Sequence, residues 1–517
     1  MISSSEVPKS IGQPERRFKK ITNIVGFDYS SASSEIPDNK CRMLINYISR
    51  IGRRLVKIPG WTDVTLSTSL PANILRMYVV YVGASTGNPP VPHLIMFLTN
   101  GSCYKHNLSA GTTASVWTTS TFSNPRLVQW KQERIVVVDP VAGIKDWDGT
   151  TPTNTSAVKA NFATVWEGRL FLLRTDTNAL AWTAPDTYDD FNTGNGAGVV
   201  ELTDPNIRGQ VTGFAAVSGI LYIFAENAIN TASNLRQSGS TTVFDIKPLK
   251  GNRGCKYPDS IAVYENAVYF MDEKGVWEVI GFSSRRVSEP DIDGILPYLN
   301  NASFAPVGFV GTLYNLDFYG LLVSVSLPGS NDPEKWLLCF YNDGWFVVKY
   351  DINTTFITTG TEVSGSVLNL ACAADEVYNF FDEASEEEIT SIIETKTYEE
   401  GNKFLDKQMN RFGLNLGFVD GTLLFECSVF ADESLYTFEL GATFSAAITW
   451  VNDDGDTVQW QNSDPDDVNF TVGTSEASLK RRAHGRGKGL VFRIEETSNK
   501  RYTIDAILAE YFFRARW

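Results

Sequence analysis

The stretch "LLVSVSLPGSNDPEKWLLCFYNDGWFVVKY" (residues 321–350) decides the fold class, because one pattern occurs in it twice. Apolar runs rich in Leu, Val and Phe alternate with short turns built from Pro, Gly, Asn and Asp. Such runs, bounded by turn residues, predict strands joined as hairpins. We place the tight turn at Asp343-Gly344, because these residue types tolerate the positive φ that a two-residue hairpin turn requires.

Six further segments between residue 75 and about 380 have the same strand, turn, strand pattern. They are "HLIMFLTNGSCYKH" (93–106), "RIVVVDPVAGIKDWDG" (134–149), "RLFLLRTDTNALAWTAP" (169–185), "ILYIFAENAINTAS" (220–233), "AVYFMDEKGVWEVIG" (267–281) and "LNLACAADEVYNFFDE" (368–383). Their starts lie ~35–55 residues apart, as in propeller blades. About 310 residues at ~45 per blade predict a β-propeller of six to eight blades. A string of antiparallel sandwiches remains the alternative, whereas a parallel α/β sheet is excluded because no long helical pattern separates the strands.

A change in composition near residue 383 marks a domain boundary. The segment "SEEEITSIIE" (385–394) predicts either a short helix capped by Ser385 or a solvated linker. Six or seven strand patterns follow it, enough for a separate sandwich. The predicted protein is therefore all-β. Residues 1–65 form an arm and entry segment that is a candidate part of the platform, residues 66–385 form the propeller, and residues 386–517 form a sandwich-like platform domain.

The net charge of the chain limits the classes of molecule that we expect it to bind. The formal net charge is −15 and the isoelectric point is near 4.9, which argues against general binding to DNA or anionic membranes. The six cysteines are far apart and contain no CxxC pair, so we expect reduced core residues made in a reducing cytoplasm. The first residues contain no apolar signal core, and no apolar run reaches the roughly 20 residues of a membrane helix, so we expect no membrane insertion by this chain.

Catalytic and metal-binding motifs are missing from the sequence. With three histidines and no HExxH, GxSxG or GxxxxGK[ST] pattern, we predict no catalytic residues, no cofactor and no metal. The "NDDGD" turn (452–456) is read as a hairpin turn, with Ca²⁺ as the less favoured alternative. Trp182, Trp277 and Trp345 occupy alternating strand positions, which favours core packing over a carbohydrate-binding platform.

Short patterns along nearly the whole chain resemble those of the nozzle proteins of short-tailed bacteriophages, also called tail tubular protein B or tail-stabilisation proteins. The patterns are "INYISRIGRRLVKIPGW" (45–61), "WEGRLFLLRTDTNALAWTAPDTYDDF" (166–191), "GILYIFAENAI" (219–229), "NAVYFMDEKGVWEV" (266–279), "FYNDGW" (340–345) and "GRGKGLVFRIEE" followed by "YTIDAILAEYFF" (485–513). No single diagnostic motif carries the resemblance, which depends on the order of these patterns.

The resemblance implies a structural role in the virion. The family would place a propeller beside a platform domain, and six copies would form a ring below the tail adaptor and portal that extends the DNA-ejection channel. Tail fibres or a tail needle are further candidate partners, and genomic DNA would pass through the lumen. The protein would be made in the bacterial host cytoplasm and end in the virion tail, without enzymatic activity. A carbohydrate-binding or glycan-cleaving propeller, or a cellular propeller scaffold, remains the alternative.

One basic segment stands out in this acidic chain. "KRRAHGRGK" (480–488) carries Lys480, Arg481, Arg482, Arg486 and Lys488. Gly485, Gly487 and Gly489 would each weaken a helix by about 1 kcal/mol, so we predict a loop at one end of the sandwich, before the half-buried strand that starts at Leu490. We interpret it first as a loop that docks on an acidic patch of a neighbouring subunit or of the adaptor. A lumen-facing DNA guide and an ordinary solvated loop remain open.

Overall fold

The computed structural model describes most of the chain as strands, without an α-helix in the described ranges. Three short 3₁₀ helices occur, at Thr193–Asn195, Pro258–Ser260 and Leu296–Tyr298. The described residues are 16–50, 54–83, 89–118, 121–175, 179–202, 209–249, 253–329, 332–399, 405–419, 422–432, 434–443, 450–451, 457–458 and 477–514. The chain divides into two units, which consist of 61–343 with 349–384, and of 1–60 with 344–348 and 385–517.

The first unit is built from seven antiparallel sheets that follow one another along the chain. In order, their strands are Ile74–Val82, Val91–Leu98, Cys103–Asn107 and Thr112–Trp117; Arg126–Trp130, Arg134–Asp139, Gly143–Trp147 and Pro152–Ser156; Ala160–Trp166, Arg169–Arg174, Ala179–Trp182 and Gly198–Glu201; Val211–Val217, Ile220–Ala225, Ile229–Ser238 and Thr241–Pro248; Ala262–Tyr264, Ala267–Asp272, Gly275–Ile280 and Ser283–Arg286; Val307–Leu313, Leu316–Val325 and Glu334–Tyr341; and Phe356–Thr361, Val367–Ala373, Glu376–Phe380 and Trp61–Asp63. Six sheets thus have four strands, and one contributes three strands to this unit.

The first strands of the seven sheets contact one another in a closed ring, which makes the unit a β-propeller. The last sheet takes its outer strand, Trp61–Asp63, from the beginning of the unit, with Asp63 opposite Tyr378 and Trp61 opposite Phe380. The prediction that residues 61–65 belong to the N-terminal segment is therefore wrong. An edge strand is needed at this position, because it pairs the backbone groups of Glu376–Phe380 that would otherwise be exposed.

The seven predicted hairpins are confirmed, and each supplies the second and third strands of one sheet. The turn in the opening stretch lies one residue earlier than predicted. Asn342 and Asp343 have φ of 50° and 57°, and Gly344 already begins the strand Gly344–Val348. Asn and Asp tolerate this left-handed conformation because their short side chains bond locally. That strand also belongs to the second unit, and not to the propeller as its sequence position predicts.

The propeller core consists of apolar side chains packed between neighbouring sheets. Val80 and Phe97 of the first sheet, for example, pack with Ile135, Val137 and Trp147 of the second. The predicted core positions of Trp182 and Trp277 in the propeller, and of Trp345 in the second unit, are confirmed, since all three are buried. Burial of these indole rings stabilises the sheets and removes them as surface stacking platforms.

A half-buried carboxylate joins three sheets of the propeller. Asp259, just before the fifth sheet, receives two hydrogen bonds from Arg76 of the first sheet, at 2.7 and 2.8 Å, and a further one from Arg126 of the second. Burial alone would raise the pKa of the Asp259 carboxyl, but the charges of Arg126 and Arg76 outweigh it and lower this pKa to about 2. The carboxylate therefore holds together sheets that are distant in sequence.

We predict that Asp259→Asn destabilises the protein in a pH-dependent way. Because the pKa of this carboxyl falls on folding from 3.8 to about 2, its stabilisation is present above pH 3.8 and is lost as the pH falls towards 2. A shift of this size corresponds to about 2 kcal/mol. Urea unfolding should show that loss at pH 7 and little of it near pH 2. The exposed Asp375→Asn is the control, and an equal loss at both pH values would contradict the assignment.

The second unit contains two sheets that pack face to face. The first holds, in order, Ala477–Arg482 with Arg486–Gly487, Asp406–Val419, Tyr502–Arg514, and then Arg16–Ile21 beside Leu55–Lys57 and Tyr47–Ser49. The second runs through Gly344–Val348, Met43–Ile45, Ile389–Glu394, Leu490–Ser498, Thr422–Ala431 and Ser434–Thr443. Two short pairs complete the unit, Gly26–Phe27 with Lys40–Cys41, and Trp450–Val451 with Thr457–Val458. Phe412 of the first sheet packs on Phe438 and Phe492 of the second.

Three expectations about this region need correction or fall outside the described residues. Both predictions for residues 385–394, a short helix or a solvated linker, are wrong for Ile389–Glu394, which is a strand that pairs with both Met43–Ile45 and Leu490–Ser498. Alternating burial of Ile389, Ser391 and Ile393 against these neighbours outweighs the helix signal of the glutamates. The "NDDGD" turn and the first 15 residues of the predicted arm and entry segment (1–65) lie outside the described residues, whereas Arg16–Ile21 of that segment is a strand.

A buried ion pair lies inside the sandwich. Lys57 donates from Nζ to Glu496 Oε2 at 2.6 Å and to the Ser498 carbonyl at 2.6 Å, and the two charged side chains are only 2% and 1% exposed. Tyr502 donates to the same carboxylate oxygen at 3.0 Å, and its hydroxyl lies 2.5 Å from that of Tyr47. Burial lowers the pKa of Lys57, and the charge of Glu496 opposes that shift. The network connects strands from both ends of the chain.

We predict that Lys57→Met costs about 3–5 kcal/mol of unfolding free energy, because it leaves a buried carboxylate without its cation. The double variant Lys57→Met/Glu496→Leu should regain most of that loss, since a well-packed apolar pair replaces a buried ion pair at little cost. Urea unfolding measures both variants, with the exposed Lys20→Met as the control. A single variant within about 0.5 kcal/mol of the control would contradict the burial of this pair.

Candidate docking surface

The first residues of the basic segment form a strand and not the predicted loop. Ala477–Arg482 is a strand that pairs with Asp406–Val419, and only residues 483–485 separate it from the short strand Arg486–Gly487. The placement of Lys480, Arg481 and Arg482 on a loop is therefore wrong, although the strand that follows, Leu490–Ser498, shows the predicted half-buried alternation. The glycines exclude a helix, but they do not exclude an edge strand.

Strand pairing places the predicted basic residues on the two different faces of the sheet. Arg482 lies opposite Arg411, and Lys480 lies opposite Gly413, so both side chains project from the outer face of the sheet. Arg481 lies opposite the buried Phe412, and its guanidinium donates to the Glu439 carbonyl at 2.7 Å. Of the five predicted residues, Lys480, Arg482 and Arg486 share one face.

The outer face extends across neighbouring strands that lie far from the basic segment in the sequence. Side chains directly opposite one another share a face, and three such rows cross the sheet. The rows are Arg486–Gln408–Phe512–Arg16, Arg482–Arg411–Glu510–Phe18 and Lys480–Gly413–Leu508–Lys20. We call the six cations Arg16, Lys20, Arg411, Lys480, Arg482 and Arg486 the basic face. All six side chains are exposed, and Phe18 between them is 64% exposed.

The carboxylates on the same outer face are already engaged. Glu510 pairs with Arg16, and Asp406 pairs with Arg486 at 3.0 Å. Further along the last strand, Asp505 lies 3.4 Å from Arg54. For Lys20, Arg411, Lys480 and Arg482 the described part of the chain shows no ion-pair partner. The basic face therefore carries a local excess of positive charge on an acidic protein.

Gly487 fixes the backbone path at the end of the basic segment. A Cβ on Gly487 would lie 2.8 Å from the Ala431 carbonyl carbon and 2.9 Å from the Asp432 nitrogen, so the backbones approach too closely for any side chain. The Asp432 carboxylate accepts the next amide, Lys488 N–H, at 2.9 and 3.0 Å. Lys488 thus lies in a turn held through its backbone, beside the basic face but not on it.

Sites for other chemistry are not found in the described residues. No group of three or more His, Cys, Asp or Glu side chains there is arranged to hold a metal ion. No helix among them is long and apolar enough to cross a membrane. The six cysteines are all described, buried and unpaired, and burial raises the pKa of Cys41 and Cys255 to about 12, which keeps these thiols unreactive.

Comparison with known proteins gives information on the fold only. No protein-family model matches the sequence, and no curated protein matches it. Similar solved structures include the WD40 β-propeller domain of Doa1, at 10% identity and a TM-score of 0.34, covering 62% of this chain and 97% of that one. YCF48 bound to D1 peptide is similar at 11% identity and a TM-score of 0.36, covering 62% and 97%. At such identities the likeness concerns the propeller fold alone.

We predict that Gly487→Ala destabilises the sandwich, because the Ala431–Asp432 peptide bond that meets its Cβ cannot yield easily. The expected loss is about 1–3 kcal/mol, as for overpacking in a core. Gly485→Ala is the matched control, since its nearest neighbour is the movable Val429 side chain at 3.3 Å. Thermal and urea unfolding measure the difference, and equal losses for the two variants would contradict this backbone path.

Proposed function

We propose that the chain is a structural component of the tail of a short-tailed bacteriophage, a ring-forming nozzle that extends the DNA-ejection channel below the adaptor. The observation that carries the proposal is the presence, in one chain, of a closed propeller and a second β unit built from both ends of the chain. The resemblance to nozzle proteins implies these two units, and the local patterns occur in the expected order.

The charge distribution supports the same function. A conduit must let a polyanion pass without retaining it, and each phosphate contact adds to a strongly salt-dependent grip. A chain with a net charge of −15 makes few such contacts. The positive charge that gathers on the basic face is then available for subunits or the adaptor instead of the genome.

The alternative, a carbohydrate-binding or glycan-cleaving propeller, gains no specific support. Trp182, Trp277 and Trp345 would be the aromatic candidates for sugar stacking, and all three are buried. We therefore propose a structural part rather than an enzyme or a lectin.

The proposal is tested by assembly with the products of the neighbouring genes. We expect portal, adaptor or terminase genes beside this one, and we expect purified adaptor–portal complexes to bind the chain as a ring visible by electron microscopy. Particles made without the chain should package DNA and then leak it. Neighbours of another class, or particles that contain none of the chain, would overturn the proposal, and release of sugar from host polysaccharide would favour the alternative.

A further inference from the structure

The basic face contains an unfavourable pair of like charges, and the Glu510 carboxylate on the other side of Arg411 is already paired with Arg16. Arg411 and Arg482 lie directly opposite one another on neighbouring strands, and like charges at such positions destabilise a sheet. Neither guanidinium has an ion-pair partner there, and Lys480 and Lys20 extend the charge along the same face. Such an arrangement is stabilised when an anionic surface covers it.

The residue types of the basic face favour a protein over a nucleic acid. It extends over four strands, with the exposed Phe18 at one end of its central row. Arginine and aromatic side chains together are typical of the centre of protein–protein interfaces. The remaining net charge of the chain is strongly negative, which repels a nucleic acid but makes a second copy of the chain an acidic partner.

A complementary surface lies at the opposite end of the same sandwich. Glu386, Glu387 and Glu388, which we call the acidic end, are exposed and show no ion pair among the described residues. They precede Ile389, which pairs with Ser498, and Asn499 donates to the Glu386 carbonyl at 3.2 Å. Lys500 in the adjoining turn is exposed, so the local balance remains negative.

The strand Leu490–Ser498 connects the two surfaces. Its first residue follows the basic segment, and its last residue lies beside the acidic end. Nine residues at about 3.3 Å each place the two strand ends roughly 26 Å apart. Two different, complementary surfaces at opposite ends of one unit produce a head-to-tail contact, which closes into a ring or continues as a filament.

We propose that the basic face binds the acidic end of a second copy of this chain. The proposal rests on the ring-forming role given above, and it names the two surfaces that meet in the ring. Arg411, Arg482 and Phe18 lie at the centre of the contact, Arg16 and Lys20 extend it along the first strand, and Glu386–Glu388 of the next copy neutralise the cations.

Charge reversal tests the contact in the full-length chain. Arg411→Glu/Arg482→Glu reverses the basic face, and Glu386→Lys/Glu387→Lys reverses the acidic end. Native mass spectrometry and sedimentation velocity at about 50 mM salt, where screening is weak, should show oligomers of the unchanged chain. Each reversed chain alone should associate at least tenfold more weakly. An equimolar mixture of the two should associate again, because the reversed surfaces complement each other.

The matched control for reversal of the basic face is Lys159→Glu/Arg236→Glu, which makes the same change of net charge at exposed propeller positions. It should associate like the unchanged chain, and thermal unfolding should show that all variants are folded. An unchanged chain that stays monomeric at about 50 mM salt, or a mixture that does not associate, would overturn the proposal. Loss of duplex DNA binding on reversal of the basic face, with self-association intact, would overturn it in favour of a phosphate partner.

The outcomes also separate this contact from the proposed tail function. Association through the two surfaces by a chain that never enters a phage particle would overturn the tail function and leave the contact. Normal rings on the adaptor formed by either reversed chain would overturn the contact and leave the tail function.

Discussion

The buried pair of Lys57 and Glu496 is the interaction on which the sandwich depends. Lys57 ends a strand near the beginning of the chain, and Glu496 lies on a strand near its end. Tyr47 and Tyr502 extend the same hydrogen-bond network across the two sheets. A carboxylate and an ammonium that are both desolvated tolerate one geometry only, so the network fixes the register of the last strands. A slip of one residue would turn the outward side chains of Tyr502–Arg514 into the core.

Two arrangements of paired arginines have opposite consequences in this protein. In the propeller, Arg76 and Arg126 share the half-buried carboxylate of Asp259, so the charges are compensated inside the unit. On the sandwich, Arg411 and Arg482 face each other with no carboxylate from the described residues between them. The first arrangement stabilises the propeller by itself. The second places two like charges side by side, an arrangement that destabilises the sheet by itself.

Much of the fold could be predicted from the sequence, because the hairpin patterns are local. Alternation and turn residues within about 10–20 positions specify the second and third strands of every propeller sheet. Pairings between distant segments leave no such signal, as the outer strand Trp61–Asp63 and the transfer of Gly344–Val348 to the sandwich show. The basic face was only partly predictable from the sequence, for the same reason. The segment 480–488 is visible as a charge cluster, whereas Arg411 and the "RRFKK" run at 16–20 join it only through strand pairing.

Closure of the propeller by Trp61–Asp63 also sets an order of events during synthesis. This strand leaves the ribosome early, but its partner, Glu376–Phe380, is made more than 300 residues later. At about 5–20 residues per second, the nascent chain carries an unpaired closing strand for on the order of 15–60 s. The sandwich waits longer, because its strand Tyr502–Arg514 is made after the others. This strand lies between Asp406–Val419 and Arg16–Ile21, so the outer face of the sheet that they form is not continuous until it has been made.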